Sequence, residues 1–573
     1  MKQPNVVLVL TDDQGYGDLG CTGNPWVQTP NIDQFYKESV RLTNYHVGPT
    51  CAPTRAGLMT GHYANSTGVW HTIGGRSLLR KNEYTLAQAL SENGYQTGIF
   101  GKWHLGDSYP YRPQDRGFQK TVVHGGGGIS QTPDYWGNDY FDDTYLVDGV
   151  PQKFTGYCTD VFFDTALKFI EENKNTPFFC YIATNAPHAP YNVENRYADV
   201  YRGKVMEDRA RFYGMITNID DNFARLRKHL SELGLERDTI LIFMTDNGSS
   251  AALSYDENGA VIEGYNAGLR GLKNSEYDGG HRTPFFIKWD NGRIQGGRDI
   301  NRLCANVDFM PTILGLCGIK TERTFHGISL KDGLTEKQER EDDRIVVTDS
   351  QRVPQPIKWR KSCVMTKEWR LINGEELYNM ETDRHQDHNI ADRHPELVEK
   401  LRAGYEDWWE TVKVDFEKTI PIYIDRENYL TAHDWRGDVT NCVWHQGLVR
   451  QGQQTTGYWE VKVVEDGQYN VKLYRWSKET GYAIRQGIKG NDSGFDKDKV
   501  SEKWHNWYEN GVAMAIDTAI LKIGSERIVQ EVKSEDTYAE FELALSAGEY
   551  KLEGIFRGKD IELGAYYAQI TRS

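Results

Sequence analysis

Short apolar runs alternate with stretches of helical period through residues 1–335. Val6–Leu10, Thr97–Phe100, Phe178–Thr184 and Thr239–Thr245 read as strands, and their alternation with helical segments predicts an α/β fold on a mostly parallel sheet. Between the last two runs, Phe212, Met215, Ile216, Ile219, Phe223, Leu226 and Leu230 recur at helical spacing, which predicts one helix over Asp208–Leu233 packed on that sheet. The segment His124–Asp143 has neither period and is rich in Gly, Asp and aromatic residues, the pattern of a long ordered loop of the kind that lines sites. From Lys331 the chain turns strongly charged; Ile345–Thr348, Ser362–Thr366 and Trp369–Ile372 then predict a small antiparallel sheet, and Pro395–Trp409 a helix. After Asn428 the pattern alternates between turns, as in Tyr458–Val464, Tyr469–Trp476, Tyr538–Leu545 and Tyr550–Arg557, and predicts a β-sandwich. Three units follow: an α/β domain over 1–335, a closing subdomain over 336–427 and the sandwich over 428–573. There is no internal repeat and no low-complexity tract.

Composition narrows the function classes. The 573 residues carry 67 basic and 82 acidic side chains, a net charge of −15 that repels nucleic acid and anionic lipid as partners. An anionic substrate therefore requires a local cluster of cations. The 38% hydrophobic content excludes disorder for most of the chain, and no apolar run approaches the roughly 18 residues of a membrane span. Eight well-separated cysteines without a CxxC pair read mostly as buried thiols. The start, MKQPNVVLVLTDD, lacks the features of a signal peptide, so the chain is either cytoplasmic or a mature form without its leader.

Two strand ends carry acidic pairs. Val6–Leu10 runs into Thr11, Asp12 and Asp13, and Ile240–Met244 into Thr245, Asp246 and Asn247. Ligands of open α/β sheets sit beyond the carboxyl ends of strands, and three carboxylates with one amide gathered there require a hard cation, Ca²⁺ or Mg²⁺. A turn or helix cap explains one such pair; two on matching strand ends favour metal.

The segment Pro49-Thr50-Cys51-Ala52-Pro53-Thr54-Arg55 places a cysteine beside a guanidinium at the start of a helical stretch, where backbone N–H groups favour negative charge. The Cys-x₃-Arg spacing excludes the Cys-x₅-Arg loop of cysteine-dependent phosphatases. Cys-x-Pro-x-Arg followed by x₄-Thr-Gly resembles the signature of type I sulfatases, in which a maturation enzyme oxidises the cysteine to formylglycine. Gly101–Gly106 (GKWHLG), Ala186–Pro190 (APHAP), Leu269–Lys273 (LRGLK) and Asp278–Pro284 (DGGHRTP) resemble further blocks of that family in order and spacing, as do Glu376–Asn379 and Asn389–Ala391.

The resemblance implies an alkaline-phosphatase-like fold, a mixed, mostly parallel sheet flanked by helices, with a small α+β closing subdomain; the C-terminal β-sandwich lies outside the family core. It implies hydrolysis of an O-sulfate ester, on sulfated carbohydrate or aryl sulfate, with export to periplasm or medium. Asp12, Asp13, Asp246 and Asn247 become metal ligands together with the formylglycine derived from Cys51. Arg55 and His104 flank that nucleophile, Lys102 and Lys273 hold sulfate oxygens, and His188 protonates the leaving oxygen. His281 stands where an apolar residue is common in the family, which marks it, with Arg282, as a candidate substrate contact. The alternatives are a phosphodiesterase or phosphonate hydrolase of the same fold, and a binding protein for sulfated glycan. His124 with Gly125–Gly128 reads as a flexible substrate loop, and Trp435, Trp444, Trp459 and Trp476 as sandwich core rather than a sugar platform.

Overall fold

The computed structural model describes residues 3–250, 254–255, 261–335, 343–425, 427–438, 442–490 and 507–573. Part of the charged run after Lys331, residues 336–342, lies outside them.

Five parallel strands form the centre of a sheet: β1 (Asn5–Thr11), β2 (Gln96–Lys102), β3 (Lys120–His124), β4 (Phe178–Ala183) and β5 (Thr239–Thr245). Their spatial order is β5-β1-β4-β2-β3. Phe285–Lys288 adds antiparallel to β5 and Thr144–Val147 antiparallel to β3, so the sheet is mixed at its flanks and parallel at its heart. The apolar runs are continuous because both faces are covered. Val6, Leu8 and Leu10 enter one core and Val7 and Val9 the other, with the same alternation in β4 and β5.

The helix expected over Asp208–Leu233 spans Glu207–Glu232, and all seven of its periodic apolar residues are buried. Phe223 lies edge-on to Phe35 and to Phe243 of β5, at centroid distances of 5.1 and 5.7 Å, which fixes the helix on the sheet. The closing subdomain has the three predicted strands, at Val346–Asp349, Ser362–Met365 and Trp369–Ile372, and a fourth at Glu376–Asn379. The helix Pro395–Val412 lays Leu401, Tyr405 and Trp408 against Val347, Val364 and Leu371 of that sheet.

The C-terminal region is two stacked, mostly antiparallel sheets around one core. Its first paired strand, Ile422–Ile424, joins Trp459–Val463 in parallel. Trp435, Trp459 and Trp476 are buried in this core, as their alternation predicts, whereas Trp444 is not among its members. This region also grips the catalytic half. His433 O accepts from Gly74 N at 2.8 Å, and Arg436 Nη1 donates to Gly74 O at 3.2 Å, so the sandwich pins the loop that contains Thr72. No helix among the described residues is long and apolar enough to cross a membrane.

Candidate active site

The register of the sheet brings the acidic pairs together. Leu10 pairs with Met244 and Thr11 with Thr245, so Asp12 and Asp246 leave adjacent strands side by side. Asp13 turns back with φ of 67° and donates its N–H to Asp246 Oδ1 at 3.0 Å. The result is one carboxylate oxygen from each of Asp12, Asp13 and Asp246 within 4.8 Å of one another, all buried. Asn247 Nδ2 donates to Asp13 Oδ1 at 2.9 Å.

Each carboxylate has its own cation. Lys102, the last residue of β2, reaches Asp12 Oδ2 at 2.7 Å; Lys273 reaches Asp13 Oδ1 at 2.6 Å; Arg55 reaches Asp246 Oδ2 at 2.8 Å. Burial pushes the Asp12 carboxyl up against the pull of Lys102, and pushes Asp246 up as well. Burial would raise Asp13 too, but Lys273, with His188 and Lys102, outweighs it and holds Asp13 below the ordinary carboxylate range. Asp12 Oδ1 and Asn247 Oδ1 are buried without a partner. An orphaned buried acceptor costs about 1–3 kcal/mol, and four hard oxygen donors in this arrangement fit Ca²⁺ or Mg²⁺.

Cys51 is the first residue of the helix α1 (Cys51–Thr60), every residue of which is buried. Burial raises its thiol, with Lys102 and Lys273 pulling the other way. Arg55, one turn on, is locked by Asp246 and by the Lys102 carbonyl at 2.9 Å. Cys51, Asp13, His104, His188 and Lys273 share a cavity of about 440 Å³.

The two histidines are held in definite tautomers. His104, at φ of 61°, donates Nε2–H to Thr72 O at 2.9 Å, so its Nδ1 is a lone-pair acceptor, and that atom is buried without a partner. Burial keeps the ring neutral, pressing its pKa well down. His188 donates Nδ1–H to Ala189 O, leaving Nε2 facing Asp13 Oδ2 at 3.6 Å. Burial presses His188 to about 3 against the pull of the Asp13 carboxylate, and a bound ester would add a second anion that favours the protonated ring.

The glycine run after His124 is buried and packed rather than flexible. A Cβ on Gly127 would sit 2.3 Å from the His104 ring, so glycine is required for that approach. Gly127 N donates to Gln131 Oε1 at 2.7 Å, and Asp134 holds Ser130 N and Asn138. The loop is a rigid wall, and Gly127 and Gln131 line the cavity.

His281 and Arg282 are placed elsewhere, and their expected contact with substrate does not match that placement. His281 is fully buried, with Nδ1 2.9 Å from His46 Nδ1 and Nε2 on the Glu276 carbonyl. Arg282 pairs with Asp278 Oδ2 at 2.7 Å and with the Thr43 carbonyl, while Arg370 takes the other oxygen of Asp278. These side chains tie the subdomain to the sheet. His46, Asp278 and His281 have metal-like spacing, but both Asp278 oxygens are committed to guanidinium groups.

Several lining residues, Trp444 apart, carried no signal in the sequence, and Trp444 was expected in the sandwich core rather than at a cavity. His71, Thr72, Asn274 and Tyr191 come from connecting loops, Arg352 from the closing subdomain, and Trp444 and Trp507 from the C-terminal region. None belongs to a spaced motif; only the fold assembles them.

Comparisons with known proteins agree with this geometry. The family model Sulfatase matches residues 4–319, and the model N-sulphoglucosamine sulphohydrolase, C-terminal, matches residues 273–407. An arylsulfatase of Hemicentrotus pulcherrimus is 30% identical over 364 residues, covering 59% of this chain and 62% of its own length. An N-acetylgalactosamine-6-sulfatase of Mus musculus is 30% identical over 357 residues, covering 57% of this chain and 66% of its own. The match thus spans less than two thirds of either curated relative. Among solved structures, that of Ps i-CgsB in complex with k-i-k-neocarrahexaose superposes with a TM-score of 0.63 at 26% identity, covering 71% of this chain and 93% of the other.

Proposed function

The chain belongs to the sulfatase family, and from that premise we propose that it hydrolyses O-sulfate monoesters of a carbohydrate. The observation that carries the reading is the convergence of Asp12, Asp13 and Asp246, each with its own cation, at a cavity lined by Cys51. The carbohydrate preference draws on the two sugar-directed relatives, an N-acetylgalactosamine-6-sulfatase and a protein bound to neocarrahexaose. Export of the mature chain and a maturation enzyme as partner belong to the same reading, as do the three units limited at 335 and 427, although the pairing of Ile422–Ile424 with Trp459–Val463 carries the last unit a few residues ahead of 427.

Asp12, Asp13, Asp246, Asn247 and the residue at 51 would hold a divalent cation, Ca²⁺ or Mg²⁺, which when bound would offset carboxylate charge and make a neighbouring hydroxyl more acidic. Cys51, matured to the formylglycine aldehyde and hydrated by one water, would supply a geminal hydroxyl as the nucleophile toward sulfur, the S–O bond to the sugar breaking as the new O–S bond forms. Arg55 is fixed by Asp246 and holds its charge next to residue 51. Lys102 and Lys273 bridge from their carboxylates to the sulfate oxygens, stabilising charge that builds as the ester bond breaks. His104 would accept at Nδ1, the atom its tautomer leaves free, the proton of the second hydroxyl on residue 51, so that the C–O bond to sulfate breaks, sulfate leaves and the aldehyde returns. His188, charged by contact with the ester, gives a proton from Nε2 to the departing sugar oxygen. Comparing kcat/KM for 4-nitrophenyl sulfate with the matching phosphate and phosphonate esters tests the reading: sulfate preferred supports it, and phosphate or phosphonate clearly preferred replaces it with the alternative hydrolase.

A further inference from the structure

Around the cavity, Arg352 differs from every catalytic cation. Arg55, Lys102 and Lys273 are each paired with a carboxylate, whereas the Arg352 guanidinium has no carboxylate partner among the described residues, and its Nε is shut away from solvent without a hydrogen-bond acceptor. Burial lowers its pKa, with Cys51 and Asp13 opposing and Arg360 acting the same way as burial. The loop that presents it is not loose. Gln351 is tied to Asp349 and to Ile357, the Val353 carbonyl accepts from Trp70 Nε1 at 3.2 Å, and the Pro354 carbonyl accepts from Arg76 Nε at 2.9 Å. A fixed guanidinium, half-buried at the cavity and without a carboxylate partner among the described residues, is a site for a carboxylate or sulfate.

The same cavity carries an apolar wall. Trp444 is half-buried and lines it with Trp507; the two rings meet edge to face at 5.5 Å, and Trp507 stacks on His445 at 4.4 Å with planes 10° apart. Thr132 anchors this segment to the glycine-rich wall through the Val443 and Trp444 backbone, at 2.6 and 2.9 Å. Indole surface kept at a polar cavity rather than in the adjoining core matches the apolar face of a pyranose ring.

We propose that the substrate is a sugar bearing a second anionic group besides the scissile sulfate, with Arg352 binding that group and Trp444 and Trp507 flanking the ring. The proposal rests on the sulfatase reading for the identity of the scissile group. The test uses Cys51→Ala protein, so that binding is measured without turnover. Calorimetry compares disaccharides derived from chondroitin, heparin and carrageenan in pairs that share one sulfate and differ by a second sulfate or carboxylate. At least one di-anionic member is expected to bind about tenfold more tightly than its mono-anionic partner, the worth of one charge-assisted hydrogen-bonded contact. Adding Arg352→Gln removes that difference, Arg352→Lys restores part of it, and Trp444→Ala weakens both members alike. In the Cys51-containing enzyme, Arg352→Gln loses about tenfold more kcat/KM on the di-anionic sugar than on 4-nitrophenyl sulfate. The proposal is overturned if no pair is distinguished, or if Arg352→Gln loses as much on 4-nitrophenyl sulfate, which would place the guanidinium on the scissile group. A preference for di-anionic sugar that depends on Arg352, in a protein that cleaves no sulfate ester, sinks the sulfatase reading and keeps the Arg352 assignment.

Discussion

The base of the cavity and its rim are built on opposite principles. At the base Asp13, Cys51 and Lys273 line the cavity, and behind them Asp12, Lys102 and Asp246 sit on or just beyond parallel strand ends, each of the three carboxylates with a cation within 3 Å. At the rim, Arg352 comes from a subdomain loop and Trp444 and Trp507 from the C-terminal region, with a cation left unpaired. The base is fixed by sheet register and needs only short motifs. The rim needs three separate parts of the chain to arrive at one place. Chemistry common to a family belongs on the first kind of scaffold, and the choice of substrate belongs on the second.

Substitutions separate the two regions by size of effect. Cys51→Ala should lower kcat by about 10⁴-fold or more while leaving the thermal transition in place, because it removes the nucleophile and little packing. Lys102→Ala and Lys273→Ala should each cost about 10²- to 10³-fold in kcat, the scale for removing one preorganised group that meets developing charge. Arg55→Ala tests the base as structure: an uncompensated Asp246 should lower unfolding free energy by about 3–5 kcal/mol in denaturant titration. Chelation should abolish activity, and returned Ca²⁺ should restore it and raise the melting temperature, since binding to the folded state alone stabilises that state. A melting temperature indifferent to Ca²⁺ would contradict the metal assignment.

The smallest effect sharpens the picture of the rim. Burial presses His445 to about 3, below its unfolded value near 6.5. The unfolded chain therefore binds the extra proton, so this contribution is complete above about pH 6.5 and is lost as pH falls toward 3. Buried carboxylates such as Asp220, raised to about 6, run the other way over part of that range. The readout is thus a difference: His445→Gln should melt with a shallower loss between pH 7 and 5 than the parent protein.

Legibility followed the same division. The apolar runs and the 3.6-residue period placed four of the five central strands and the long helix within a residue or two, because both faces of the sheet are buried; β3 (Lys120–His124) was not among them. Asp12, Asp13, Asp246 and Asn247 were readable because strand ends are where open sheets gather ligands. His281 misled, since a motif position says nothing about direction, and its ring points into the network of His46 and Arg370. Arg352 was invisible: a lone arginine after a short strand has no pattern, and only the absence of a partner in the fold marks it. Trp444 was read as core because aromatic residues in a sandwich usually are, yet it lies on the loop before the helix Gln446–Gln451, where alternation does not apply.

The central claim is that residue 51 acts as formylglycine on a sulfate ester. Mass spectrometry of the peptide carrying Cys51, from protein purified from its native host, tests it most directly. The account predicts the aldehyde mass in the fraction that cleaves 4-nitrophenyl sulfate; an unmodified thiol throughout fully active protein would contradict it.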